Sequence, residues 1–208
     1  MIADLVETRD ETTGGHVERT QIYLELLVKE MIRTEIYKEE VASWDISILL
    51  PSAQLHDVGK IGISDAILNK AGKLTDDEFE IIKRHCEIGE RVIERVIERT
   101  DDDIFLNHAK RFAAYHHEKW DGTGYPRGLS GEEIPLEGRI MAIVDVYDAL
   151  VSVRPYKEAF SHEQAVETIR GDSGKHFDPM ITEAFLNLEQ EFLLKSALSG
   201  GRDHRGVL

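Results

Sequence analysis

The chain has 208 residues, enough for one large or two small domains with a proper buried core. Forty acidic against 25 basic residues give a formal net charge of −15, which argues against a general surface for nucleic-acid polymers or anionic membranes. The single cysteine, Cys86, excludes an intrachain disulfide framework, and no run approaches the ~18 apolar residues of a membrane helix, so we expect a cytoplasmic protein without membrane contact.

The first half of the chain predicts two helical segments. From Val17 to about Glu40, apolar residues recur at spacings of three to four among charged ones, the pattern of an amphipathic helix. A second apolar run leads into His56-Asp57, and Pro51 inside it predicts a kink or a fresh helix start.

A long helix is predicted next, from Thr75 to about Arg99, because Thr75 and Glu78 have the spacing of a capping box. His85 lies on an apolar row of this helix and is expected to point inward. A neighbouring stripe is predicted to be buried, and its members are Phe79, Ile82, Cys86, Gly89, Ile93 and Val96. A further helix, from Asp101 to His117, places His116 on one face with Phe112.

A glycine-rich loop (residues 118–136) and a buried helix follow. The helix from Glu137 to Val153 is apolar nearly all round, so Asp145 within it needs a partner. A buried unpaired carboxylate is costly or loses its charge. A divalent cation would solve this, as would an arginine such as Arg139.

The end of the chain predicts two more helices. Ser161 with Gln164 is a second capping box, and Asp178-Pro179 sets the N-cap and first-turn proline of a last helix to about Lys195. We therefore expect an all-α fold, with residues 1–195 forming one compact helical bundle and residues 196–208 a disordered tail. Long loops at 59–74, 118–136 and 171–178 are expected to be functional. Because the chain opens almost directly at a motif, a signalling domain ahead of Met1 is compatible with the sequence.

Histidines and aspartates in apolar surroundings suggest a metal centre. One histidine on an apolar face is more often a core residue than a ligand, but several on separate segments, with two carboxylates, are harder to explain by packing. Imidazole and carboxylate together suit Fe, Mn, Zn or Ni. The candidate ligands are His56, Asp57, His85, His116, His117 and Asp145.

The other histidines have weaker settings. His16, just before the first helix, is compatible with a ligand or with a plain turn residue. We expect surface positions or local hydrogen bonds for His108, His162, His176 and His204.

Several separated stretches of the chain resemble the HD-GYP domain, a branch of the HD phosphohydrolases that hydrolyses the bacterial second messenger cyclic di-GMP. The stretches are HDVGKIGISDAILNKAGKLT, then His85, HHEKWDGTGYPRGLSGEEIP, RIMAIVDVYDALVSVRPYK and HFDP, and the resemblance covers about Arg9 to Leu186. It implies an all-helical fold of the HD phosphohydrolase type and a bi- or trinuclear iron or manganese centre. The implied product is linear pGpG or, further on, GMP.

The resemblance also implies ligands for two metals. The first metal would be held by His16, His56, Asp57 and Asp145. Asp57 would bridge to a second metal, which His85 and His116 hold with His117 adjoining. Family members with three metals carry a glutamate four residues before the first histidine, and here Thr12 occupies that position. We therefore predict two metals, and the role of His117, ligand or neighbouring donor, stays open.

Substrate contacts are implied in the same way. Lys60 matches a catalytic lysine that contacts the scissile phosphate and helps the leaving oxygen, acting beside Asp57. Arg154 and Lys157 match residues that hold substrate phosphates. Tyr125 and Pro126 belong to the GYP loop at the rim.

The resemblance predicts a metal-dependent phosphodiesterase with cyclic di-GMP as its ligand. Two alternatives stay open at this point. One is a weakly active or inactive module that binds cyclic di-GMP or a protein partner, and the other is an HD phosphohydrolase for another nucleotide.

Overall fold

The computed structural model describes residues 6, 8–9, 15–100, 103–153 and 159–200, without the side chains of the last two. These residues form helices joined by turns, and their β-structure is limited to isolated bridges at Asp121–Ser130 and Ser173–Phe177. The predicted all-α fold is therefore confirmed. Within this part of the chain, no helix combines the length and apolarity that crossing a bilayer requires.

The first half of the chain contributes the helices that carry most of the candidate ligands. In order they are α1 (His16–Thr34), α2 (Lys38–Val41), α3 (Ile46–Ala53), a 3-10 turn (Val58–Gly62), α4 (Asp65–Leu68), α5 (Asp76–Lys83) and α6 (His85–Ile97). The second half contributes α7 (Asp103–Tyr115), a 3-10 turn (Gly131–Glu133), α8 (Leu136–Val151), α9 (His162–Gly171), α10 (Pro179–Asn187) and α11 (Glu189–Gly200).

Helix α8 lies at the centre of the main core. Leu136, Ile140, Ile143 and Val144 are fully buried in it, as predicted for a helix that is apolar nearly all round. In this core α8 packs against α1. Ala165 of α9, Phe185 of α10 and Phe192 of α11 are also buried in it. A smaller cluster of Val58, Ile93, Ala109 and Ala113 joins the 3-10 turn to α6 and α7.

Several helix bounds differ from the prediction. The first helix ends at Thr34 because Glu35 and Tyr37 adopt left-handed backbone angles, with φ of 57° and 48°. The long helix divides at Arg84 into α5 and α6, and its predicted stripe is buried only in part, since Phe79 is 44% and Val96 47% exposed.

The loop and tail predictions are also revised in detail. The segment 59–74 contains most of a 3-10 turn and the whole of α4, so it is less irregular than expected. The last predicted helix divides at Leu188 into α10 and α11, and α11 continues to Gly200, beyond residue 195. Residues 201–208 of the predicted tail lie outside the described part.

The predicted caps at helix starts are confirmed. Thr75 and Ser161 each form a complete capping box with the residue three positions on, Glu78 and Gln164 respectively. The Asp178 side chain accepts hydrogen bonds from the backbone at the start of α10. These bonds satisfy amide groups that have no partner within the helix.

Candidate metal centre

The first cluster of candidate ligands joins α1, the end of the α3 segment and α8. Ligand atoms of His16, His56 and Asp145 all lie within 4.8 Å of one another. The Nε2 atoms of His16 and His56 are 3.2 Å apart, and His16 Nε2 lies 3.5 Å from Asp145 Oδ1. Both imidazoles are buried, so a coordinated ion would be largely screened from solvent.

The second cluster joins the start of α6 to the end of α7. Ligand atoms of His85, His116 and His117 lie within 4.8 Å of one another. The Nε2 atoms of His85 and His116 are 3.3 Å apart. His117 stacks near His116, with 4.0 Å between the ring centroids.

Asp57 lies between the two clusters and faces both. Its Oδ2 is 3.4 Å from His56 Nε2 in the first cluster. Its Oδ1 is 3.4 Å from His85 Nε2 and 3.8 Å from His116 Nε2 in the second. One carboxylate that turns one oxygen toward each cluster has the geometry of a bridging ligand.

The ring nitrogens that face away from the clusters are held by hydrogen bonds. His56 Nδ1 lies 2.9 Å from Ala53 O, His85 Nδ1 2.7 Å from Ile82 O and His116 Nδ1 2.9 Å from Phe112 O. Since a carbonyl can only accept, each Nδ1 carries the proton, and in the neutral ring Nε2 then presents a lone pair. Facing lone pairs at 3.2 and 3.3 Å repel each other unless a proton or a metal ion lies between them, so the donor set is compatible with bound metal ions.

Burial keeps the second cluster neutral. It lowers the pKa of His85, lowers that of His116 well below its usual range, and with the nearby His85 lowers the pKa of His117 to about 3. Neutral imidazole is the form that binds metals. In Asp57, burial acts to raise the pKa, but Lys60 and His56 outweigh it and lower the pKa well below its usual range, so this carboxylate is ionised.

Asp145 faces the first cluster and not Arg139. Arg139 donates from Nη1 to Asp178 Oδ2 at 2.8 Å, which commits its guanidinium to the loop before α10. Asp145 instead faces His16 in the first cluster. Arg139 is therefore excluded as the partner of Asp145.

Asp148, one turn after Asp145, is a site residue to which the sequence analysis gave no role. It is buried, and its Oδ2 accepts a hydrogen bond from His16 Nδ1 at 2.8 Å. Arg19 donates to the same carboxylate from Nε at 2.6 Å and from Nη2 at 3.0 Å. Burial acts to raise the pKa of Asp148, but the bonds from His16 and Arg19 lower it. The i, i+3 spacing of two aspartates on an apolar helix was the available signal.

Lys60, for which the resemblance implies a catalytic role, lies beside Asp57. Its Nζ is 2.8 Å from Asp57 Oδ2, and both side chains are 17% exposed. The ammonium group is thus close to both clusters and still accessible from outside.

The glycine-rich loop lies against the second cluster. The Tyr125 ring packs on the His117 ring at 4.8 Å, and Tyr125 N donates to His117 O at 3.1 Å. Glu118, which the sequence analysis did not single out, is buried, and its carboxylate accepts from Arg127 N at 2.7 Å and Leu129 N at 3.1 Å. A Cβ on Gly124 would lie 2.3 Å from Lys119 N, so only glycine fits this turn.

Some predicted residues cannot be placed. Arg154 and Lys157 lie outside the described residues, and so does Thr12, on which the expectation of two rather than three metals depends. Pro126 follows Tyr125 through a cis peptide bond and lies on the same loop.

The remaining histidines differ in their settings. His108, for which a surface position or a local hydrogen bond was expected, is only 9% exposed, so the surface alternative is wrong. It does form a hydrogen bond, to Glu137 Oε1 at 2.8 Å, although its partner lies on another helix. His162 Nδ1 bonds to the Tyr147 hydroxyl at 2.9 Å, and His176 stacks on Phe177. His204 lies outside the described part. Cys86 is fully buried, which confirms its assignment to packing.

Comparison with known proteins decides the family. The model of the HD domain family matches residues 1–181. The chain belongs to the HD domain family. Membership of this family confirms the resemblance found in the motifs.

Named relatives of this HD domain include a cyclic di-GMP phosphodiesterase of Vibrio cholerae, 48% identical over 94% of this chain and 40% of the relative. A cyclic di-GMP phosphodiesterase of Thermotoga maritima is 41% identical over 97% of this chain and 53% of the relative. A 3'3'-cGAMP-specific phosphodiesterase of V. cholerae is 40% identical over 92% of this chain and 34% of the relative. The chain thus spans about half or less of the length of these relatives.

A solved structure supports the fold of this HD domain. It is the crystal structure of a cyclic GMP-AMP specific phosphodiesterase of V. cholerae, with a TM-score of 0.62 and 22% identity over 98% of this chain and 52% of that one. At this identity the likeness shows the shared helical fold alone.

Proposed function

We propose that this HD domain is a metal-dependent phosphodiesterase that hydrolyses cyclic di-GMP to linear pGpG, with continuation to GMP left open. The observation that carries the proposal is the position of Asp57 between two histidine clusters, with Lys60 bonded to it. The names of the V. cholerae and T. maritima relatives support the choice of substrate.

The residues support a centre for two divalent cations, with iron or manganese the expected metals. His16, His56 and Asp145 would hold one ion, and His85, His116 and His117 the other, with Asp57 shared between them. Imidazole and carboxylate donors suit first-row transition ions. Bound divalent cations at such sites lower the pKa of water and offset the negative charge of a phosphate.

Lys60 supports the departure of the leaving group. Asp57 holds its ammonium group at 2.8 Å, and a charge-assisted hydrogen bond from this lysine would stabilise the departing 3′-oxygen or protonate it. Arg154 and Lys157 stay predicted contacts for the substrate phosphates. The planar guanidinium of Arg154 would donate two hydrogen bonds to a phosphate, and the ammonium of Lys157 would contribute a compact positive charge.

The charge distribution supports a small anionic ligand. With a formal net charge of −15, the outer surface repels nucleic-acid polymers, whereas the cleft combines the ion sites with Lys60. The predicted cytoplasmic location and the signalling domain ahead of Met1 stay predictions.

The test starts with metal analysis of protein purified without added cations, followed by incubation with cyclic di-GMP. We expect about two ions per chain and the appearance of linear pGpG, which exhaustive chelation abolishes. Asp57→Asn should lose metal and turnover together because the carboxylate serves both clusters, whereas the exposed control Asp76→Asn should retain both.

Three results would contradict the proposal. Tight binding of cyclic di-GMP without turnover would indicate a binding module, and cleavage of other nucleotides alone would indicate another HD phosphohydrolase. Turnover that continues after exhaustive chelation would show that hydrolysis does not require a metal ion.

A further inference from the structure

A cavity lies beside the metal centre, where the junction of α5 and α6 faces the glycine-rich loop. It has a volume of about 320 Å³ and is lined by Lys83, Arg84 and Glu87 on one side and by Tyr125 and Pro126 on the other. This volume is near the lower end of the ~300–1,000 Å³ of small-molecule sites. It suits one part of a dinucleotide rather than the whole.

Tyr125 connects this cavity to the metal centre. Its ring packs on His117 at 4.8 Å with 31° between the ring planes, and the same residue lines the cavity. A ligand whose phosphate reaches the metal centre therefore has this cavity next to it.

The chemistry of the cavity combines an aromatic wall with charges of both signs. The Lys83 ammonium lies 5.1 Å from the Phe79 ring centroid and 5.6 Å from that of Tyr125, and it pairs with Glu80 at 2.5 Å. Arg84 and Glu87 are exposed, and in the described part of the chain neither side chain has a hydrogen-bonding or ionic partner. One cation and one carboxylate thus remain available to a ligand.

We propose that this cavity is the subsite for a guanine base of the cyclic dinucleotide, an inference that rests on the proposed function. The planar guanidinium of Arg84 donates two hydrogen bonds, one to O6 and one to N7 of guanine. Glu87 accepts hydrogen bonds from N1–H and the N2 amino group on the adjoining edge. Tyr125 provides the aromatic surface on which the base stacks.

Adenine does not match this set of groups. It presents an amino donor at C6, where guanine has its O6 acceptor, so Arg84 would face a donor. It also has no N1–H and no N2 amino group, so it offers Glu87 neither of the two donors that guanine presents on that edge. Arg84 and Glu87 thus determine the preference for guanine.

The experiment measures kcat and KM of the metal-loaded chain with cyclic di-GMP and with cyclic di-AMP. Dissociation constants of the same two ligands are measured by calorimetry. The variants are Arg84→Ala and Glu87→Gln, with Arg95→Ala and Glu98→Gln as exposed controls on α6 or at its end. Metal content and thermal midpoint are measured for each.

We expect the wild-type chain to prefer cyclic di-GMP by at least 100-fold in kcat/KM. Arg84→Ala and Glu87→Gln should each lower this ratio at least tenfold, mainly through KM, and raise Kd for cyclic di-GMP to a similar extent. Metal content should stay at the wild-type level, and both controls should match the wild type.

Two results would overturn the subsite. One is equal use of the two dinucleotides by the wild-type chain, and the other is an unchanged ratio and Kd in both variants. A wild-type chain that binds cyclic di-GMP without cleaving it refutes the proposed activity alone, because the calorimetric constants still decide the guanine preference.

Discussion

Replacing Gly59 by alanine tests the contact that sets the second cluster beside Asp57. Gly59 belongs to the 3-10 turn after Asp57, and this turn packs on the start of α6. A Cβ at this position would lie 1.8 Å from His85 O and 2.5 Å from Gly89 N. Both are backbone atoms, so no rotamer change can relieve the contact.

The size of the effect follows from these distances. The contact to His85 O is about 1.2 Å short of the 3.0 Å below which real Cβ atoms essentially never approach a neighbour. The turn and α6 must therefore separate by about 1 Å, whereas metal–ligand distances tolerate only about ±0.2 Å. Overpacking of this kind typically costs about 1–3 kcal/mol of folding free energy.

The assay for Gly59→Ala combines metal analysis with urea unfolding. We expect one ion per chain instead of two, because His85 moves away from Asp57 while His16, His56 and Asp145 do not depend on α6. We also expect the free energy of unfolding to fall by about 1–3 kcal/mol. Gly171→Ala is the matched control, since no heavy atom lies within 4 Å of the added Cβ. Wild-type metal content and stability in Gly59→Ala would refute the packing of α6 against the turn.

Three further predictions concern the buried carboxylates Glu118, Asp148 and Glu137. Glu118→Ala should raise KM for cyclic di-GMP several-fold at constant metal content, because the glycine-rich loop loses two hydrogen bonds; an unchanged KM would contradict this. Asp148→Asn should weaken the ion at His16 about 10–100-fold in a chelator competition, since it loses the charge that orients that ring. Burial acts to raise the pKa of Glu137, but the bond from His108 lowers it, so its contribution to stability is present above pH 4.5 and is lost below. Urea unfolding of Glu137→Gln should therefore show a smaller loss of stability on acidification than the wild type; an equal loss would refute it.

The helical fold could be predicted because the periodicity of apolar residues and the capping residues are local signals. Thr75, Ser161 and Asp178 each cap the helix that the sequence assigned to them. The break at Arg84 could not be predicted, since the apolar spacing continues across it. At the break, Arg84 N bonds to Ile81 O, three residues earlier, and the His85 side chain bonds to Ile82 O.

The candidate ligands could be predicted because imidazoles and carboxylates are rare in apolar segments, and the motif spacing selected among them. Their supporting residues were missed for a physical reason. Asp148 and Glu118 are single carboxylates whose partners lie elsewhere in the chain or in a loop, at His16 and at Arg127 N. For Asp148 the local signal was its i, i+3 spacing from Asp145 on an apolar helix, but that spacing does not reveal the partner. For Glu118 the local sequence gives no sign that it differs from an exposed carboxylate in a loop.

The candidate ligands lie at helix ends, which explains why local sequence signals were enough to predict them. His56 and His85 each bond through Nδ1 to the carbonyl three residues earlier, and His116 to the carbonyl four residues earlier. The helical segment that carries each ring therefore selects its tautomer and aims Nε2 outward, without help from the rest of the fold. Tertiary packing then has only to bring the segment ends together around Asp57, and the close fit of Gly59 against His85 achieves this for the second cluster.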